Sequence, residues 1–380
     1  MVDFNRLKQL YKSSIHIPDE NVLDIIYATI IANRRPGQPL WLILIGASGS
    51  GKSSYLEVIK GNEIISRDSL KVHTLISDYR VAKEDISLLP QLHQKTLILT
   101  DLSSILTLPA DQQETIWGQL REAYKGRFEY HSGVRHVSFE CRFGLIAAAV
   151  PLLNIERELL RSLGERFFYF HIKYGEYDRQ KAGNNIKAMW DKENRRYNIL
   201  SNASRNFLDN FKVDNSINLE AEEKNWVVSI CDLVSLLRSS VYRDRYRRWI
   251  LERPSIEVHS RLSMQFLKFT WALKQLGIMD FKKVIMKLAF SSVPSLRLSV
   301  ISRCAQLGSI TQKELSSHTG LPHQRISEIF QELIALKAIK EKAPSSQFKL
   351  SSYTLTQDIW EKLHALHLVY PLISWVEKDT

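Results

Sequence analysis

Apolar residues along this chain change their spacing several times, and each change marks a different kind of element. Over residues 19–33, Val22, Ile25, Ile26, Thr29 and Ile30 recur at helical period behind Asp19 as a cap, and Arg35-Pro36-Gly37-Gln38-Pro39 breaks the pattern. Leu40-Trp41-Leu42-Ile43-Leu44-Ile45 then runs without a polar residue, the texture of a short strand covered on both faces in a parallel sheet. Similar runs return at 95–100, 143–150 and 166–172 with helical or polar stretches between them, so residues 40–175 are expected to form an α/β sheet. Beyond 175 the continuous runs vanish: 212–225 is polar and reads as an exposed loop, and helical periodicity dominates 226–276. From 285, three short helical patterns precede a Ser/Pro turn and the alternating Gln347-Phe348-Lys349-Leu350, which predicts a helix-turn-helix with a wing. Ile359, Trp360, Leu363 and Leu366 at helical spacing predict a tail helix packed on that domain. The expected division is 1–38, a helical lead-in; 39–175, an α/β core; 176–283, a helical region; 284–355, a winged helix; and 356–380, a helical tail.

Composition narrows the partners more than the fold. A chain of 380 residues with 44% hydrophobic and 24% charged residues has the makings of two or three ordinary folded domains, which excludes disordered and collagen-like classes. Its 52 Lys and Arg against 41 Asp and Glu leave a formal charge of +11, so acidic polymers lead the list of partners. Cys141, Cys231 and Cys304 are far apart with no CxxC spacing, which argues against a zinc site or disulfide framework and for a reducing, cytoplasmic setting. The start lacks an apolar signal core and no run approaches the ~20 residues of a membrane helix, so neither secretion nor a membrane span is expected.

The sharpest chemical signal is Gly46-Ala47-Ser48-Gly49-Ser50-Gly51-Lys52-Ser53, a full G-x-x-x-x-G-K-S directly after a buried run and before a helical pattern starting at Ser54. Glycines there let backbone N–H groups turn toward phosphates, Lys52 reaches the β/γ oxygens, and the Ser53 hydroxyl can ligate Mg²⁺. Gly46 through Ser54 are therefore the expected nucleotide contacts, with ATP and Mg²⁺ as cofactors. Asp101, closing a later buried run, is the expected second metal contact, with helix capping as its other reading. Leu102 follows it where many phosphate-loop ATPases carry Glu. Water must then be oriented from elsewhere, Glu114 or Glu140 being candidates, or turnover is slow and nucleotide acts mainly as a conformational ligand.

The order of phosphate loop, Asp-ending strand, third buried strand, Gly164-Glu165-Arg166-Phe167 and helical segment resembles the AAA+ ATPases over roughly residues 19–276. The resemblance implies an α/β phosphate-loop NTPase core with a helical lid, here followed by a winged helix-turn-helix domain, and a homo-oligomeric ring or spiral. It implies that Arg166, or Arg161 in its stead, reaches a neighbouring subunit's nucleotide, where it would stabilise charge on the transferring phosphate; local pairing with Glu158 or Glu165 is the plainer reading. Arg261, at the start of an amphipathic helix capped by Ser260, is similar to the lid arginine of minichromosome-maintenance and related ATPases. The third run departs from the pattern, since Ala147-Ala148-Ala149-Val150 ends without a polar residue to position water.

Three segments carry candidate DNA contacts. Residues 127–139 alternate around Ser132-Gly133 and read as a hairpin with His131, Arg135 and His136 at a basic tip, resembling the pore hairpin of some AAA+ motors; Tyr130 is the one obvious pore aromatic. The stretch 238–253 interleaves six arginines, Arg245, Arg247 and Arg248 among them, with Tyr242, Tyr246 and Trp249, a composition suited to phosphate pairing and base stacking. Thr311-Gln312-Lys313-Glu314 is a capping box for a first helix, and a second helix from His323 would face His323, Gln324, Arg325, Ser327 and Glu328 outward, where Gln and Arg read base edges. Wing residues Lys340, Lys342 and Lys349 would meet phosphates. The reading that follows is an oligomeric DNA-binding ATPase of replication, helicase, mobile-element or defence type. Its alternative is a nucleotide-regulated signalling switch whose winged helix mediates protein contacts, with protein remodelling a third option.

Overall fold

The computed structural model describes residues 3–77, 80–81, 84–85, 87–132, 135–151, 166–189, 193–244, 246–342 and 351–377. The chain divides into two compact units: Met1–Asn218 with Lys268–Val284, and Leu219–Leu267 with Ile285–Thr380.

The first unit is built on five parallel strands, β1 (Trp41–Gly46), β2 (Ile64–Arg67), β3 (Thr96–Leu99), β6 (Gly144–Ala149) and β7 (Phe167–Ile172). Between β3 and β6 the chain forms an antiparallel pair, β4 (Gly126–Ser132) and β5 (Arg135–Cys141). The sheet order is β2-β3-β6-β1-β7. The continuous apolar runs follow from burial on both faces. Trp41, Ile43 and Ile45 join Leu97, Leu99, Leu145, Ala147, Phe167 and Tyr169 in one core, while Leu42, Leu44, Ile98, Ile146 and Phe168 are equally buried on the other face. Helix Asn21–Arg34 is buried along nearly its whole length, as its dense apolar sequence requires. Asn33 anchors its end: its Oδ1 accepts from the Leu40 N–H at 2.8 Å and its Nδ2 donates to the Leu40 carbonyl at 3.0 Å, fixing the entry into β1. Helix Phe4–Ser14 is capped by Asp3, which accepts from Arg6 N–H at 2.7 Å, and buries Phe4, Leu7 and Tyr11.

In the second unit, helices Ala221–Arg238, Ser295–Leu307, Gln312–Thr319 and His323–Ala335 accompany a small antiparallel sheet. Its strands are β8 (Ile310–Thr311), β9 (Ile339–Lys342) and β10 (Ser352–Leu355), in the order β8-β10-β9. Thr311 and Glu314 form the expected reciprocal cap, and Gly320, with φ +67°, ends the first of the two consecutive short helices in the left-handed region that glycine enters without strain. Helices Gln357–Ala365 and Val369–Glu377 close the unit; Ile359 and Leu363 are fully buried, and Lys362 pairs with Asp232 of helix Ala221–Arg238 at 2.9 Å. Residues 343–350, the expected wing tip with Lys349, lie outside the described residues. Among the described residues no helix is long and apolar enough to cross a membrane.

Candidate functional site

Because all five strands of the first unit run in parallel, their carboxyl ends share one edge, where open α/β sheets bind ligands. Gly46 ends β1 in register with Ile172 of β7, and the turn of residues 47–51 leads straight into helix Lys52–Glu57. A Cβ at Gly46 would lie 2.7 Å from Ser50 Oγ and 3.1 Å from the Ile172 carbonyl, so any side chain there would force the turn to shift. Gly49 and Gly51 have φ of +76° and +75°, which L residues with side chains rarely adopt. Ser50 N–H donates to the Ala47 carbonyl at 3.1 Å; the N–H groups of Gly49, Gly51, Lys52 and Ser53 make no backbone hydrogen bond among the described residues. The loop is thus a tight turn with unspent donors, the chemistry a phosphate requires.

Lys52 is folded back over this turn. Its Nζ donates to the Gly46 carbonyl at 2.6 Å, the Ala47 carbonyl at 2.7 Å and Ser50 Oγ at 3.1 Å. Burial lowers its pKa, with the charge of Asp101 acting in the opposite direction. A buried ammonium served only by neutral oxygens is a cation short of a counter-anion, and phosphate oxygens supply one. Ser53 and Ala47 to Gly49 are exposed, so the outer side of the loop is open.

Asp101 stands at the same edge, beyond β3. Its Oδ1 accepts from Ser103 N–H at 2.9 Å, but the N-cap of helix Ser103–Leu106 is Leu102, so Asp101 is not itself the cap; its charge is felt at Lys52. Sequence reasoning missed Asp68, which follows β2: its carbonyl accepts from Asp101 N–H at 3.1 Å and its Oδ1 accepts from Thr100 Oγ1 at 3.1 Å. Among the described residues no cluster of three His, Cys, Asp or Glu could hold a metal by itself. Ser53 and Asp101 are oxygen donors of the kind Mg²⁺ takes, the rest of its shell being water and phosphate oxygens. Leu102 is buried, its N–H donating to the Ala148 carbonyl at 2.8 Å. Glu114 is held by Arg121 at 2.5 Å. Glu140 lies 3.7 Å from His93, near the amino ends of β3 and β6 and away from the glycine loop of residues 46–51.

Behind the loop lies a polar cluster the sequence did not announce. Tyr55 OH donates to the His16 carbonyl at 3.0 Å and meets Tyr174 OH at 3.1 Å, and His16 Nε2 is 3.0 Å from Asp178 Oδ1. Burial first, then the mutual hydrogen bond and the Asp178 charge, push the Tyr55 phenol well above its ordinary value; burial also raises Tyr174. The only sequence signal was Tyr55 three residues after Lys52, one helical turn on.

Arg166 enters β7 at the opposite edge of the sheet. Its guanidinium lies over the Tyr124 ring at 5.2 Å, and Tyr124 in turn packs edge-on against Trp41, at 4.9 Å. Arg161, with Glu158 and Glu165, lies outside the described residues. Arg261 occupies the first turn of helix Ser260–Gln275, half-buried.

Of the DNA candidates, the hairpin is formed, with Tyr130↔Val137 and Ser132↔Arg135 in register and Phe128 and Phe139 stacked at 5.6 Å at its base. His136 is exposed; the side chains of Tyr130, His131 and Arg135 lie outside the described set. Gln324 and Lys342 are exposed. Glu328, expected to face outward, is instead buried, because arginines from two directions cover it: Arg248 Nε and Nη2 donate to it at 3.0 and 2.9 Å, and Arg325 Nη1 at 3.0 Å. Those hydrogen bonds, Arg248's foremost, outweigh burial and pull its carboxyl down to about 2. Arg245 lies outside the described residues, and the Arg247 guanidinium rests over the Trp249 ring at 5.2 Å. Compared with known proteins, the chain matches no protein-family model, and no curated protein sequence matches it either.

Proposed function

We infer that this chain is an AAA+-like ATPase that binds ATP·Mg²⁺ at residues 46–54 and acts as an oligomer on DNA. The observation that carries the nucleotide half is the buried Lys52 ammonium, folded over a glycine turn at the carboxyl edge of a parallel sheet, with Asp101 beyond the neighbouring strands. In this reading Lys52 leaves its loop carbonyls for the β/γ oxygens, Ser53 and Asp101 hold Mg²⁺, Asp68 orients Asp101, and Arg166 serves a neighbouring subunit's site. With buried Leu102 after Asp101 and an all-alanine end to β6, turnover is slow, and nucleotide acts chiefly on conformation. The two consecutive helices and small antiparallel sheet of the second unit support a winged helix whose exposed Gln324 and Lys342 meet DNA.

Titration with ATP·Mg²⁺ tests this. Lys52→Ala should weaken binding by about a hundredfold or more, through loss of a point charge on the phosphates; unchanged affinity would overturn the assignment. A second reading, a nucleotide-regulated switch with a protein-binding winged helix, is favoured by one fact: Glu328 and Glu332 of the second helix are occupied by arginines of the same chain.

A further inference from the structure

Residues 242–244 and 246–251 form the arms of a hairpin that is far better braced than an exposed loop needs to be. Arg243 and Ile250 bridge antiparallel, Leu251 N–H donates to the Tyr242 carbonyl at 3.0 Å, and Asp244 N–H donates to the Trp249 carbonyl at 2.8 Å. Asp244 Oδ1 accepts from the Tyr246 N–H at 3.0 Å, and Arg248 takes the left-handed backbone, φ +62°, that turns the chain back. Arg243 clamps the hairpin to helix His323–Ala335 through the Glu328 carbonyl at 2.6 Å and Glu332 Oε1 at 3.3 Å, and Arg248 adds its forked contact to Glu328. What this frame holds outward is aromatic: Tyr246 is 86% exposed, Trp249 66% and Tyr242 62%.

Within that outward surface Arg247 rests over the Trp249 ring at 5.2 Å. The arginines that brace the hairpin are neutralised by Glu328 and Glu332, whereas Arg247 and Arg253 make no ion pair among the described residues. A fixed frame presenting flat rings beside uncompensated cations fits a ligand that is both flat and anionic. In duplex DNA the base faces are already stacked, so rings on a protein gain them only from unpaired strands.

We propose that Tyr242, Tyr246 and Trp249, with Arg247, form a stacking platform for single-stranded nucleic acid. The rings take base faces, Arg247 pairs with the phosphates, and the clamp onto Glu328 and Glu332 keeps the platform ordered before the strand arrives, which lowers the entropy lost on binding. The proposal rests on the nucleic-acid half of the proposed function and is independent of the nucleotide half.

Anisotropy titrations of the full chain with oligothymidylate, oligouridylate and a duplex, each of about 20 units and so longer than one protein footprint, test it at two salt concentrations. The double variant Tyr246→Ala/Trp249→Ala should lose roughly thirtyfold to ten-thousandfold in affinity for the single strands, from about 1–3 kcal/mol of stacking for each of the two rings, with duplex binding changed less than about twofold. Tyr246→Phe/Trp249→Phe should keep most of the affinity, and Arg247→Gln should reduce the salt slope by about one. The two oligonucleotides bind alike if stacking governs, since every base has a face. Unchanged single-strand affinity in the double alanine variant overturns the platform and leaves the proposed function standing. Equal losses on single strand and duplex also overturn it, as does a change in oligomeric mass in place of a change in affinity, which makes the patch a contact between copies. Absence of all nucleic-acid binding by the unaltered chain overturns the nucleic-acid half of the proposed function with it, while ATP binding at Lys52 is scored separately.

Discussion

Lys268 is buried with its Nζ on the Gln38 carbonyl at 2.7 Å, and Arg142 Nη1 donates to the Arg35 carbonyl at 2.8 Å and the Gly37 carbonyl at 3.3 Å. The Arg35 guanidinium itself rests over the Trp271 ring at 4.9 Å, so three cations gather on one turn. Burial first, then the charges of Arg142 and Arg35, push the Lys268 pKa down to about 7. An unfolded lysine titrates near 10.4, so between about pH 7 and pH 10 the unfolded chain holds the extra proton, and stability rises with pH across that window. Lys268→Met removes the buried charge. Its gain in stability, read from urea unfolding, should be about 1–3 kcal/mol larger at pH 6 than at pH 9; equal gains at both would show that Lys268 titrates normally. The sequence gives no hint of this, because the three cations come from separated segments. Lys52 is the opposite case: its neighbours are its own loop, so its place beside the glycine turn was legible from eight consecutive letters. Asp68 and Tyr174 were not, since only strand order brings Asp68 beside Asp101 and Tyr174 beside Tyr55.

Element by element, legibility followed burial. The runs at 40–45, 95–100, 143–150 and 166–172 correspond to β1, β3, β6 and β7, because strands covered on both faces have no polar alternation to confuse them. β2 was missed: it pairs only with β3, is half-buried, and offers Ile64-Ile65 followed by Ser66-Arg67, too little apolar sequence to stand out. Helix His323–Ala335 was found, but its polar face was misread at Glu328, whose arginine partner Arg248 lies 80 residues away in the chain. Glu332 holds the same helix to a different neighbour. It accepts from Arg297 Nε at 3.2 Å and Nη2 at 3.0 Å and from Arg243 Nε at 3.3 Å, while Arg297 also donates to the Leu237 and Ser239 carbonyls at 2.8 Å each. Glu332→Leu leaves two buried guanidiniums short of their anion and should cost about 3–5 kcal/mol. Adding Arg297→Met should recover part of that loss, and chemical denaturation of the two variants measures the coupling. A single-variant cost below about 1 kcal/mol would mean that water reaches the pair.

At the scale of the whole molecule, the decisive question is whether one chain makes a complete site. Arg166 precedes Phe167, which is in register with Trp41, whereas the proposed phosphate loop begins at the other end of β1, where Gly46 is in register with Ile172. Five residue steps of strand separate the two levels, roughly 17 Å at about 3.3 Å per residue, so an arginine at the first cannot serve a phosphate at the second within one chain. If Arg166 acts on nucleotide, it acts on a neighbour's. Arg166→Ala should then retain ATP binding and lose turnover, Lys52→Ala should lose both, and neither alone should hydrolyse. Mixed in equal parts, the two variants assemble interfaces that join an intact Lys52 from one subunit to an intact Arg166 from the next. In a head-to-tail ring with random mixing these make up about a quarter of all interfaces. ATPase activity should therefore reappear on mixing, at up to about a quarter of the unaltered level, and rise no further with excess of either variant. Mixtures that stay inactive while labelled subunits exchange would confine Arg166 to its contact with Tyr124, as a brace for the amino edge of the sheet.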